Sequence, residues 1–133
     1  VRVLVDTSAW VEYLRGTGSV HNRWLHAALQ QGTDLAWTDP VLFELTAGAA
    51  SPERATRLRA LLLRGTPLPI AGLRDWEDAA VLYRTARSRG RTVRSTVDCL
   101  IATVALRTGT PVLARDRDYE LLAQVTDLTL VTP

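Results

Sequence analysis

The chain reads as an α/β protein, a three-layer α/β/α sandwich around a mainly parallel central sheet. Three observations predict it. Short apolar runs alternate with longer stretches of helical spacing, as successive β-α units require. The two firmest of those runs each end directly on an acidic segment. A length of 133 residues, 47% of them hydrophobic, suffices for one core and is too short for two ordinary domains.

The first strand is Val3-Leu4-Val5, cut off by Asp6. Helical spacing follows over 8–15 and 20–31, then a weaker strand at Leu35-Ala36-Trp37 and helices over 40–50 and 53–64. Leu68-Pro69-Ile70 is another weak strand candidate, ahead of helices over 75–89 and 96–108. Pro111-Val112-Leu113-Ala114 is the second firm strand; a short helix over 118–124 and an alternating edge strand, Leu128-Thr129-Leu130-Val131, complete the chain. Gly16, Gly32, Gly65, Gly90 and Gly109 each follow a helical stretch, where a residue of positive φ closes the last turn. No repeat, low-complexity segment or linker interrupts this order, so one domain over 1–133 is expected. In such sheets ligands collect beyond the carboxyl ends of the strands.

Composition excludes several classes of function. No apolar run approaches the roughly 20 residues of a bilayer span, and the apolar start is broken at once by Asp6 without a basic leader, so a soluble, cytoplasmic protein is expected. Cys99 is the only cysteine, which removes an internal disulfide and any multi-thiolate metal site. His21 and His26 lie five apart on a helix and face different ways, which argues against histidine-based chemistry. All sixteen basic residues are arginine, so no lysine is present for a Walker-type phosphate loop, a receiver domain or a haloacid-dehalogenase-type phosphatase. From Arg84 to Arg94 there are five arginines and no acid, which suits a phosphate backbone and equally suits a solvated helix end and loop.

The acids carry the chemistry. Asp6 ends the first strand where a helix begins; Thr7 or Ser8 can cap that helix, which frees the aspartate. Glu44 sits among Leu42, Phe43 and Leu45 with little expected exposure and no counter-charge one turn away, although it can also snorkel to solvent at a helix edge. Asp98 opens an apolar helix, where Ser95 and an acid three residues later also form a capping-box pattern. Cys99 beside it reads as core. Asp116 follows the second firm strand directly, while Asp118 reads as a cap for the helix starting at Tyr119. Four carboxylates on one sheet edge repel one another unless a cation sits among them, and Mg²⁺ or Mn²⁺ prefers oxygen ligands.

The order and spacing of VLVDTSAWVEYL (3–14), LFELTAG (42–48), STVDCLIATVAL (95–106) and LARDRDYELLA (113–123) resemble the PIN-domain nucleases, specifically the VapC-type toxins of type II toxin–antitoxin modules, over essentially the whole chain. The resemblance implies a single PIN-like nuclease domain over 1–133 and a Mg²⁺-dependent endoribonuclease toxin acting on tRNA or ribosomal RNA. It also implies inhibition by a VapB-like antitoxin and a homodimer, for which the segments around Trp10, Trp24 and Trp37 leave room. Its acidic quartet falls on Asp6, Glu44, Asp98 and Asp116, with Asp118 as an auxiliary acid. Asp6 and Asp98 would be principal ligands of the metal, with Glu44 and Asp116 completing the site. Its water would hydrolyse the phosphodiester. Three alternatives stay open on residues alone: a non-catalytic nucleic-acid or protein binding module, a DNA nuclease with the same site, and, weakened by the missing lysine, a phosphatase using Asp6 as nucleophile.

Overall fold

The computed structural model describes residues 1–133. In chain order it contains β1 (Arg2–Val5), α1 (Thr7–Leu14), α2 (Val20–Gln31), β2 (Asp34–Ala36), α3 (Asp39–Ala47), α4 (Pro52–Leu62), α5 (Leu73–Ser88), α6 (Thr96–Thr108), β3 (Val112–Leu113) and α7 (Arg117–Val125). All seven expected helices form. The strands make one parallel sheet in the order β2-β1-β3, with Val3 opposite Leu35 and Leu4 opposite Val112. Val3, Leu4 and Val5 are all buried although successive strand residues point to opposite faces, so both faces of β1 are covered by helices. α1, α2, α3 and α4 pack as one group, and α5, α6 and α7 as another.

The two weaker outer strands shrink to single bridges. Trp37 pairs with Pro67, through Trp37 N–H to Thr66 and Leu68 N–H to Trp37, and Val112 pairs with Leu130. Pro67 and Pro69 have no N–H to extend the first of these ladders. Helix starts shift as well. α3 begins at Asp39, one residue early, after an N-cap at Thr38, and Asp39 Oδ1 accepts from Ile70 N–H at 3.3 Å.

β1 is central and its neighbours are reached by crossovers toward opposite edges. The crevice between β1 and β3, beyond their carboxyl ends, is therefore the topological switch point. α6 is held against α5 by a buried pair: Asp75, fully buried, accepts from Arg107 Nε and Nη2, both at 3.0 Å, and from Ala71 N–H at 2.7 Å. Burial alone would raise the Asp75 carboxyl, but these donors hold it below the usual carboxylate range. Cys99 is core as expected, and burial pushes its thiol up to about 11. Trp10 is buried, Trp24 and Trp37 are half-buried against the core, and the exposed tryptophan is Trp76, at 59%.

Gly65 corrects the helix-end argument. Gly16, Gly32, Gly90 and Gly109 have positive φ, but Gly65 does not. It is glycine because the chain passes directly over β2: a Cβ there would lie 1.8 Å from the Leu35 carbonyl oxygen. Gly65→Ala must push α4 or β2 aside. We expect it to lower stability by about 1–3 kcal/mol in urea unfolding, whereas an alanine tolerated at no cost would contradict this packing.

Candidate metal centre

The backbone ladder delivers the first two acids to the switch point. Asp6 N–H continues the β1–β3 pairing by donating to Leu113 O at 2.9 Å, which fixes Asp6 just beyond the strand. Asp116 stands three residues beyond β3 and begins α7. Asp98 arrives from the first turn of α6, and Asp118 from the first turn of α7.

Asp6 caps the helix that follows it. Its Oδ2 accepts from Ser8 N–H at 3.0 Å and from Ser8 Oγ at 2.6 Å, so Asp6, not Thr7 or Ser8, caps α1. Its Oδ1 accepts from the Tyr119 hydroxyl at 2.8 Å, in a buried contact across most of the chain. Ser8 Oγ in turn accepts from Arg115 N–H at 2.9 Å, tying α1 to the segment after β3. Burial, and then the charge of Asp6, push the Tyr119 phenol well above its ordinary range, so it stays a donor.

The capping roles expected of the α6 and α7 acids are not the ones found. Ser95 occupies the α6 N-cap position but makes no side-chain cap bond, so the serine-x-x-acid pattern does not engage Asp98 as a box. In α7 the cap is Asp116, whose Oδ1 accepts from Asp118 N–H at 2.9 Å, and the helix starts at Arg117, not at Tyr119. Asp118, at 2% exposure, is turned inward and accepts from Arg94 N–H at 3.1 Å and Ser95 N–H at 2.9 Å. Burial would raise the Asp118 carboxyl, but those two backbone donors keep it low and ionised.

Asp98, Asp116 and Asp118 each offer a carboxylate oxygen within 4.8 Å of the others. Asp98 is 7% exposed, and its Oδ2 is buried without any hydrogen-bond partner. Burial, the hydrogen bond to Asp118 and the charges of Asp6, Asp116 and Asp118 push the Asp98 carboxyl up to about 9. The cluster alone thus favours a protonated Asp98 at neutral pH. Hard oxygen donors, an orphaned buried oxygen and excess negative charge fit a divalent cation, which would replace that proton.

Glu44 is not part of this group. It is exposed on α3, beside Phe43 at 71% exposure, because the buried face of that helix carries Val41 and Leu45. Thr7 Oγ1 donates to Glu44 Oε1 at 2.9 Å, which places the glutamate at the rim next to Asp6. Sequence reasoning missed Tyr119 as a donor to Asp6 and the Arg94 and Ser95 amides as donors to Asp118. The Tyr119 signal was present, as a tyrosine three residues after Asp116; the amides belong to a loop with no periodicity.

The PIN domain family matches residues 3–125. The chain is 39% identical over 127 residues to ribonuclease VapC11 of Mycobacterium tuberculosis, covering 95% of each chain, and equally to VapC ribonuclease Mb1587 of Mycobacterium bovis. Its fold is similar to the DNA-bound VapBC of Salmonella typhimurium (TM-score 0.75, 16% identity, 98% and 97% of the two chains). It is also similar to VapBC2 of Rickettsia felis bound to a promoter DNA fragment (TM-score 0.74, 16% identity, 98% of each).

The raised Asp98 carboxyl has a definite signature. Between the ordinary carboxyl value near 4 and about 9 the native state binds a proton that the unfolded chain releases, so stability without cation falls as pH rises through that window. Mn²⁺, competing with the proton, should raise Tm more at the alkaline end, by about 2.7 kcal/mol of stability at a hundredfold excess over Kd. Asp98→Asn should flatten the cation-free pH slope and remove the Mn²⁺ response. A wild-type protein whose Tm ignores both pH and Mn²⁺ would contradict the assignment.

Proposed function

The chain belongs to the PIN-domain family, within its VapC group, and we propose that it is the Mg²⁺-dependent endoribonuclease toxin of a toxin–antitoxin pair, built as one domain over 1–133. The observation that carries the reading is the buried, unpartnered Asp98 Oδ2 among three acids at the switch point. It stands in a chain that is 39% identical to a protein named a ribonuclease.

Asp6, Asp98 and Asp116 would hold the ion, with Asp118 behind them and Glu44 at the rim. When bound, Mg²⁺, or Mn²⁺ in its place, supplies charge for the phosphate oxygens and an acidified water. The remaining work falls to the protein. Ser8 and Tyr119 orient Asp6, and the Arg94 and Ser95 amides orient Asp118, so the carboxylates are set before substrate arrives. Asp116 is half-buried, and only its Oδ1 is engaged by the protein, which leaves Oδ2 to take a proton from the attacking water. The water oxygen bonds to phosphorus as the phosphodiester P–O bond breaks, and the departing oxygen takes up a proton from solvent. Glu44, exposed and tied to Thr7, would orient water at the rim. The arginines from 84 to 94 offset the repulsion between RNA and the acids.

We assign tRNA or ribosomal RNA as substrate, a VapB-like antitoxin as inhibitor and the cytoplasm as the site of action; no helix is long and apolar enough to cross a membrane. A homodimer fits the exposed apolar residues Trp76 and Val97, which line the groove between α5 and α6. The test is cleavage of matched RNA and DNA oligonucleotides in Mg²⁺. RNA should be cut and DNA spared, and Asp6→Asn or Asp98→Asn should each lower kcat by about 10²-fold or more, the scale of losing one charge-stabilising group. Equal cutting of DNA, or variants as active as wild type, would sink the reading.

A further inference from the structure

The arginine run divides between two places. Arg84 and Arg87 line the apolar groove with Trp76, Tyr83 and Val97, and Arg87 stacks 5.6 Å from the Tyr83 ring centroid. Arg91 and Arg94 turn away from it. They meet Arg117, from the first turn of α7, around a separate polar cavity of about 280 Å³ whose other walls are Gly90, Thr92, Leu121 and Asp118.

All three guanidinium groups are exposed, and none pairs with a carboxylate; the ion pairs of the chain involve Arg2, Arg74, Arg107 and Arg115. The cavity's single acid, Asp118, is committed, since both its oxygens accept from the Arg94 and Ser95 amides. Those two bonds clamp the 91–95 loop to α7, so the arginines are gathered by a fixed backbone and not by chance side-chain placement. Three guanidinium groups around one acid leave the cavity with excess positive charge, which is unfavourable in the free protein. It becomes favourable when an anion enters.

We propose that Arg91, Arg94 and Arg117 form a binding site for a backbone phosphate of the RNA, one flanking the scissile phosphate. The inference rests on the ribonuclease reading. Asp118 joins the two places: the acid that walls this cavity also contributes an oxygen to the Asp98–Asp116–Asp118 group. A single strand crossing the acids thus meets the arginines on leaving them. Guanidinium forks suit phosphate oxygens, and phosphate contacts position a strand without reading its bases. The site is expected to serve register and affinity and to leave sequence choice to other surfaces.

The test compares wild type, Arg91→Gln/Arg117→Gln, and Arg57→Gln, which removes a charge from the exposed face of α4. Cleavage kinetics on single-stranded RNA, and binding of a fluorescent 2′-O-methyl RNA at several salt concentrations, supply the readouts; circular dichroism checks folding. The double variant should raise KM by roughly tenfold with kcat nearly unchanged. Its log Kd against log salt slope should fall by about 0.7 for each phosphate no longer neutralised. Arg57→Gln should do neither. If wild type cleaves RNA and the double variant keeps its KM and salt slope, the phosphate site is overturned alone. A double variant that keeps RNA affinity but no longer binds an acidic protein partner also overturns it. A wild type that neither binds nor cleaves RNA overturns the ribonuclease reading and this site together.

Discussion

Four carboxylates share the crevice beyond β1 and β3, and the rest of the site is arranged around keeping them there. Asp6, Asp98, Asp116 and Asp118 repel one another, and Asp98 is too buried to shed its charge into water. The chain answers with neutral donors. Ser8 and Tyr119 serve Asp6, the start of α7 serves Asp116, and the loop before α6 serves Asp118. Asp98 Oδ2 is left buried without one. A proton satisfies the cluster at rest, and a divalent cation satisfies it better, because the ion neutralises more than one charge.

These donors also explain why fold and site are inseparable. β1 and β3 are short, yet their pairing continues through Asp6 N–H to Leu113 O, so the ladder itself aims the first acid. Ser8 Oγ joins the start of α1 to the segment after β3, and Tyr119 joins α7 to Asp6. A helical layer pinned by the buried Asp75–Arg107 pair then holds α6 where Asp98 must be. The pair joins the last turn of α6 to the first turn of α5, so it anchors α6 at the end opposite Asp98.

Much of this was legible in the sequence, and the reasons differ by element. The seven helices and the two firm strands follow from apolar period and glycine punctuation, signals that tertiary packing reinforced. The prolines at 67 and 69 weakened a strand that its apolar residues suggested. Asp6 and Asp98 were singled out by their place at a strand end and a helix start, and the structure puts them there. Asp118 yielded the capping role to Asp116 because helix α7 begins at Arg117, two residues before Tyr119, a boundary that periodicity cannot resolve. Glu44 was expected to be buried because its neighbours are apolar, but Phe43 is itself exposed. Gly65 carried a real constraint with the wrong cause: close approach to β2, an encounter between distant segments, replaced the local φ requirement. The amides that hold Asp118 leave no trace in side-chain identity at all.

The central claim is that Asp98 is a carboxyl kept protonated by its surroundings until a cation displaces the proton. Carbon-13 NMR of the aspartate side-chain carboxyls resolves it directly. Without divalent cation the Asp98 resonance should titrate near 9, and saturating Mg²⁺ should move that titration down to the ordinary carboxylate range or below, near 4. An Asp98 carboxyl that titrates in the ordinary range with and without Mg²⁺ would contradict the account.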